Sequence, residues 1–278
     1  MTSIICWKNE EESESLWAVS DSRVTGNNGR MTDNCPKLFK MEVKARSAEH
    51  LPHHEPELLF TFGFGFAGST LVGMNVKEML SQYLSSLTSL PTHNGQAPRK
   101  PSLQDVANVA KSIAEKYISF LAVCYQDNLG FEFTVFGFCH QSNQYKVFHA
   151  RNEISRPLEL QLNAVGVSNG QFLIIGDRKG EITDMISEFR ETVAERTLNW
   201  WRAPFVCLAS IVRDDSMETI GGYLQFVISS RLGANTYFIA SDNEANMVGF
   251  DLFSQNIPLG DFFVMPQIGM SMPSPTGW

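Results

Sequence analysis

Ala18-Val19-Ser20-Asp21-Ser22-Arg23-Val24-Thr25 closes the second of two short apolar runs near the start of the chain. The first run is Ser3-Ile4-Ile5-Cys6-Trp7 and the second is Leu16-Trp17-Ala18-Val19-Ser20, with the polar stretch Lys8 to Ser15 between them. Apolar and β-branched runs of this length, bounded by a polar turn, read as two strands of a hairpin. Gly26-Asn27-Asn28-Gly29 is a turn, and alternation resumes from Lys37 to Val43. Three residues of this opening carry reactive groups: Thr2, Asp21 and Lys37. Thr2 becomes the first residue if Met1 is removed, a trimming that a small second residue permits. A hairpin followed by a third strand is expected to bring the three together.

Downstream, Leu58 to Phe66 reads as an aromatic, glycine-bearing strand. Val72, Val76, Met79, Leu80, Tyr83, Leu84 and Leu87 recur at three and four residues, one apolar stripe of a helix that Ser69 or Thr70 can cap. Ser102 and Asp105 have the spacing of a capping box, and Val106, Val109, Ala110, Ile113, Tyr117 and Leu121 trace the helix behind it. Strands follow at Phe131 to Phe136, Tyr145 to His149, Leu158 to Leu162 and Gln171 to Ile175. Helical spacing returns at Ile182 to Val193, and Pro204 suits the first turn of one more helix. Gly221-Gly222 opens a strand to Ser229, and a last strand lies near Tyr237 to Ala240. The loops Ala45 to Glu57 and Thr88 to Pro101 and the tail after Asp242 read as additions. The Pro/Met/Gly segment from Met265 is expected to be partly disordered.

Pairs of helices between groups of strands do not fit the βαβ alternation of a parallel sheet. They fit an α+β fold, two mainly antiparallel sheets stacked together with helices outside. The 278 residues are read as one elaborated domain, with a core of about 2–240 and an extension over 241–278. Hydrophobic residues are 43% and charged ones 19%, enough apolar material for a sizeable core. The net charge of −8 argues against nucleic acid or anionic membrane as the main partner. Neither a signal peptide nor an apolar run near the roughly 20 residues of a membrane helix is evident, so a cytoplasmic protein is expected. The five cysteines (Cys6, Cys35, Cys124, Cys139, Cys207) are scattered and never in CxxC spacing. They read as reduced core thiols and not as a zinc site.

The Ala18 to Thr25 motif resembles the second-strand motif of proteasome β-type subunits and related bacterial peptidase subunits. Lys37-Leu38-Phe39-Lys40-Met41 is similar to their lysine strand, and Phe66-Ala67-Gly68-Ser69 to the strand end before their first helix. The resemblance spans about Thr2 to Ala240 and implies a four-layer αββα sandwich and N-terminal nucleophile chemistry. The Thr2 hydroxyl would be the nucleophile and its own free amine the base. Lys37 would supply a neighbouring positive charge, held by Asp21. A backbone N–H at Gly68 would stabilise the oxyanion. Arg23 and Asp177 are placed as supporting residues. Val24, Cys35, Phe66, Thr70 and Met74 would line an apolar substrate pocket. Such relatives act on peptides or proteins as closed rings, some of them fed by ATP-driven unfoldases, and need no cofactor.

The sequence also departs from that pattern. Asp177, in Ile175-Gly176-Asp177-Arg178, stands where a supporting serine is expected, and Ile220 stands where another precedes Gly221-Gly222. Asp177 or Glu218 is the candidate substitute. The departures keep a second reading open, a non-catalytic assembly or binding subunit. A third comes from Gly63, Gly65 and Gly68, nominally the G-x-G-x-x-G of dinucleotide sites. That motif needs a βαβ unit and an acidic residue about 20 positions on, and Leu87 to Gly95 contains none. His50, His53 and His54 with Glu49 and Glu55 read as a solvated loop sooner than a metal site. Trp200-Trp201-Arg202 reads equally as an oligomer contact or as a helix end packed on the core.

Overall fold

The structure, a computed structural model, describes residues 2–11, 13–26, 29–47, 55–89, 98–125, 130–153, 155–241, 244–251 and 267–272. In chain order the elements are β1 (Ser3–Asn9), β2 (Ser15–Ser20), β3 (Val24–Gly26), β4 (Gly29–Thr32), β5 (Leu38–Arg46), β6 (Glu57–Gly68), α1 (Thr70–Ser85), β7 (Leu87–Thr88), α2 (Leu103–Tyr125), β8 (Phe131–Cys139), β9 (Gln144–Glu153), β10 (Arg156–Val165), β11 (Phe172–Gly176), α3 (Lys179–Glu191), α4 (Leu198–Asp214), β12 (Gln225–Ser230), β13 (Gly233–Ser241), β14 (Glu244–Met247), β15 (Phe250–Asp251) and β16 (Ile268–Met272). The fold is α+β, and the chain divides into two compact units.

The first unit comprises Met1–Phe39, Val167–Ile228 and Thr236–Trp278. Its sheet runs β11-β1-β2-β12-β13-β14-β15, with β16 alongside β13. The opening hairpin forms as read, β1 and β2 pairing antiparallel from Ile4↔Ser20 to Asn9↔Ser15. Side chains alternate along a strand, so Ile5 and Trp7 share a face with Val19, opposite Ile5. That face packs in one cluster with Ile182 and Ile186 of α3 and Phe205, Leu208 and Ile211 of α4. Ile4 and Cys6, on the other face, are buried as well. A strand covered on both faces loses its clean alternation, which is why β1 reads as a plain apolar run.

Pro204 is not in the first turn of α4. The helix starts at Leu198, so the proline lies inside it. Proline has no N–H to give to the carbonyl four residues back, which belongs to Trp200. Arg190 of α3 supplies the missing donor, its Nε 3.2 Å from the Trp200 carbonyl. The same guanidinium donates to the Gly170 carbonyl at 2.6 Å and lies 4.1 Å from the centre of the Trp200 ring. Trp201 is buried, whereas Trp200 is half-buried beneath the Arg190 guanidinium. In the tail, β16 pairs parallel with β13.

The second unit comprises Lys40–Gly166 and Ser229–Asn235. Its sheet order is β10-β9-β8-β6-β5-β7. Helix α1 packs on β6, and α2 on β8, β9 and β10. Ser69 caps α1, its hydroxyl accepting from Val72 N at 3.4 Å. The capping box of α2 is reciprocal: Asp105 N donates to the Ser102 hydroxyl at 3.1 Å, and Ser102 N to the Asp105 carboxylate at 2.8 Å. The apolar stripe of α1 is narrower than its sequence suggests, since Met79 and Tyr83 are exposed.

The glycine run has packing causes. Strand β6 pairs antiparallel with β8, Gly63 opposite Phe136, so no βαβ unit exists here and the dinucleotide reading falls. A Cβ on Gly63 would lie 2.1 Å from the Phe136 ring. The Ala45 to Glu57 loop is shorter than read, because β5 reaches Arg46 and β6 begins at Glu57. His50, His53, His54 and Glu49 lie outside the described residues. No group of three metal-binding side chains occurs among the described residues. None of the described helices is long and apolar enough to cross a membrane.

Candidate active site

The first unit builds its site where β1 begins and β2 ends. Asp21 follows β2 directly and is fully buried. Its Oδ1 accepts from Ser3 N at 3.0 Å and from Lys37 Nζ at 3.4 Å. Its Oδ2 accepts from Arg23 N at 3.2 Å and Gly221 N at 3.1 Å. Two donors on each oxygen is the demand that a carboxylate, and not a carboxylic acid, satisfies. Burial pushes this carboxyl up from its usual range, opposed by the Lys37 charge and by the three backbone N–H groups.

Lys37, one residue before β5, is only 1% exposed. Its ammonium donates to Asp21 and to the Arg23 carbonyl. Burial pushes the lysine's pKa down, opposed by the Asp21 charge. Its backbone is fixed by Gln225: Lys37 N and Leu38 N donate to that amide oxygen at 2.8 and 3.2 Å. The Gln225 amide nitrogen in turn donates to the Asp21 carbonyl at 2.9 Å. One buried glutamine therefore ties the lysine strand to the aspartate turn. A buried ammonium held by one carboxylate is the kind of group whose protonation is easily moved, and such groups concentrate at functional sites.

Thr2 is buried, 4% exposed, and its carbonyl accepts from Asp177 N at 2.7 Å. Its hydroxyl has no hydrogen-bond partner among the described residues. The next backbone nitrogen, that of Ser3, shares Asp21 Oδ1 with Lys37. Thr2 thus lies one peptide from the oxygen that holds the lysine.

Arg23 is an organiser. Its Nε is 2.9 Å from Asp33 and its Nη2 is 2.6 Å from Asp215. Nη1 reaches the carbonyls of Met217, Glu218 and Ile220 at 3.3 to 3.4 Å. These contacts seat the segment whose Gly221 N donates to Asp21. Ser22 helps: its hydroxyl accepts from Tyr223 N at 2.7 Å and donates to the Asp33 carbonyl. Gly222 has φ +81, and a Cβ there would lie 2.6 Å from the Ser22 hydroxyl oxygen.

Asp177 reaches this site with its backbone and holds its carboxylate against Thr219, whose hydroxyl donates at 2.5 Å. Ile220 is fully buried in the core, so it cannot stand in for a polar group. Val24 opens β3 half-buried. Cys35 is buried, donates its N–H to the Ser22 carbonyl at 3.1 Å, and has its thiol pushed up by burial. The thiols of Cys6 and Cys207 are raised for the same reason, Cys207 to about 11, and the described cysteines are free.

Gly68, Phe66 and Thr70 belong to the second unit. Gly68 has φ +91, and a Cβ there would lie 2.1 Å from the Gly130 carbonyl oxygen. Only glycine fits such a position. Phe66 is 1% exposed, its ring filling the space left by Gly73. Thr70 is half-buried at the start of α1, and Met74 is partly exposed along it.

Gln225 and Thr219 carried no local signal in the sequence. Their partners lie up to 204 positions away, as Gln225 does from Asp21.

No protein-family model and no curated protein matches the chain. In structure it is similar to Anbu from Hyphomicrobium sp. strain MC1, at 15% identity over 84% of each chain with a TM-score of 0.53. A (Gly-1) mutant of the Hyphomicrobium protein gives 15% identity over 85% of this chain and 84% of that one, with a TM-score of 0.54. Anbu (ancestral beta-subunit) from Yersinia bercovieri gives 12% over 84% and 86%, also at 0.54. These identities show a proteasome-like fold and nothing finer. They correct the family assignment drawn from the motifs. The similarity is to Anbu proteins, and nothing at 12–15% identity makes the chain one of the peptidase subunits.

Proposed function

We propose that this chain is an N-terminal threonine hydrolase that cleaves amide bonds in peptides or proteins, with Thr2 as nucleophile once Met1 is removed. One observation carries the reading. Asp21 Oδ1 accepts from both Ser3 N and the buried Lys37 ammonium, which puts a fixed positive charge beside the first residue. The free Thr2 amine takes the hydroxyl proton as the oxygen attacks the substrate carbonyl. The Lys37 charge favours the anionic oxygen over the hydroxyl. The proton passes to the leaving amine, and water then releases the acyl group from Thr2. Gly68 is assigned the oxyanion N–H in this scheme, and Val24, Cys35, Phe66, Thr70 and Met74 an apolar pocket. The scheme retains the four-layer αββα sandwich that the motif resemblance implies. It places the chain in a cytoplasmic homo-oligomeric ring without cofactor, nucleic acid or membrane. A non-catalytic assembly or binding subunit is the second reading, favoured by Asp177 and Ile220 where serines were expected.

The test is N-terminal mass spectrometry with a peptide panel. The expected result is Thr2 as first residue and faster cleavage after small or apolar groups than after basic ones. An intact Met1 blocks the amine and overturns the catalytic scheme. Cleavage favouring basic peptides leaves the chemistry standing and overturns the pocket.

A further inference from the structure

The turn between β11 and α3 is bent in an unusual way. Gly176 has φ +99 and Arg178, a residue with a full side chain, has φ +54. Arg178 is the N-cap of α3 yet makes no side-chain capping bond. Left-handed backbone at a non-glycine residue is costly and persists only where its surroundings hold it. Here they hold the residue between the two bends. Asp177 N donates to the Thr2 carbonyl at 2.7 Å, and the Asp177 carbonyl accepts from the Ser3 hydroxyl at 2.7 Å. The Thr219 hydroxyl donates to Asp177 Oδ2 at 2.5 Å. Thus Asp177 is clamped to the first two residues before Ile4 through its backbone and to Thr219 through its side chain. Its other carboxylate oxygen accepts no hydrogen bond among the described residues, and the adjacent Arg178 guanidinium, paired with Glu181, also feels its charge.

We propose that Asp177, steadied by Thr219, is a positioning residue for the start of the chain, its carboxylate receiving the α-ammonium that Met1 removal creates on Thr2. The inference rests on the hydrolase reading only for its consequence, not for the contact. The neighbouring charges leave this role to Asp177. Asp21 and Lys37 face each other at 3.4 Å. Arg178 is paired with Glu181 at 2.6 Å, and Arg23 with Asp33 and Asp215. Glu218, next to Thr219, is exposed. A carboxylate beside an ammonium favours the charged form, so the amine holds its proton to higher pH than a free α-amino group, whose usual value is about 7.7–8.0. The amine must be neutral to act as base. The same anchor that orients it therefore moves the working range of the site toward alkaline pH.

The experiment uses the full chain released from an N-terminal tag whose cleavage leaves Thr2 first, whatever a cell does with Met1. Pulse acylation of the Thr2 amine across pH, read by peptide mass spectrometry, gives its titration curve in wild type, Asp177→Asn and Asp177→Ser. Asparagine keeps the shape and the acceptor for Thr219, and serine is small enough for the turn, so at least one variant is expected to fold. The half-labelling pH is expected to fall by about one unit in the variants. Where peptide cleavage is measurable, the acidic limb of its pH profile falls with it. Curves that coincide with wild type, or that move upward, overturn the anchor. Failure of the hydrolase reading is seen separately, as a Thr2 hydroxyl that a covalent inhibitor does not modify while the amine curve still moves.

Discussion

Asp21→Asn is expected to lower the stability of the chain by about 3–5 kcal/mol, the cost of breaking a buried ion pair from one side. The arithmetic of donors explains the size. Each Asp21 oxygen accepts two N–H bonds, from Ser3 and Lys37 on one side and from Arg23 and Gly221 on the other. An amide can match only one of these sides. Its NH2 group must then face two donors at the other, with no room to turn in a fully buried site. The substitution also leaves Lys37 buried without its counter-charge. Urea denaturation of the two proteins measures the difference. A loss under about 1 kcal/mol would mean that the pocket relaxes, and that Asp21 is no keystone.

Lys37→Met has the opposite profile, with a large effect on reactivity and a smaller one on stability. Methionine fills a similar stem but carries no charge. Asp21 keeps its three backbone donors, and the Arg23 carbonyl loses the lysine. The stability cost expected is about 1–3 kcal/mol, that of orphaned buried acceptors. What disappears is the only ammonium bonded to Asp21 among the described residues. Removing one well-placed electrostatic contributor from an acyl-transfer site lowers rates by about 10²–10³-fold. The second-order rate of covalent modification of Thr2 by a threonine-directed electrophile is expected to fall by that factor. A folded variant that reacts within about threefold of wild type, well short of that range, would reduce Lys37 to a structural residue.

The opening hairpin was legible because its strands are short apolar runs separated by a polar turn, a signal local to twenty residues. Asp21 and Lys37 were legible for a related reason: each sits at an end of such a run. What fixes them was not. Gln225 and Gly221 reach Asp21 from the far end of the chain, and neither a glutamine in an apolar run nor a Gly-Gly pair announces such a contact. The helix of Pro204 was misread because proline is common in first turns, and only the structure shows Arg190 meeting the carbonyl that the proline leaves free. The stripe of α1 was drawn too wide for a similar reason. Spacing alone cannot separate Leu80, which is buried, from Met79, which is not. Gly63 matched a nominal dinucleotide motif because the motif records where glycines stand and not why. Its cause here is the Phe136 ring on the neighbouring strand. The tail contributes β16 by pairing with β13, a contact that no local pattern in its Pro/Met/Gly sequence foretold.

Whether Thr2 is the nucleophile is read directly from where a covalent inhibitor attaches. Wild type and Thr2→Ala are treated with a covalent threonine-directed inhibitor, and the adduct is mapped by peptide mass spectrometry. The expected result is one adduct, on Thr2 as the first residue, in wild type and none in Thr2→Ala. Wild type that begins with Thr2 and takes up no inhibitor, or that carries the adduct on another residue in both proteins, would contradict it.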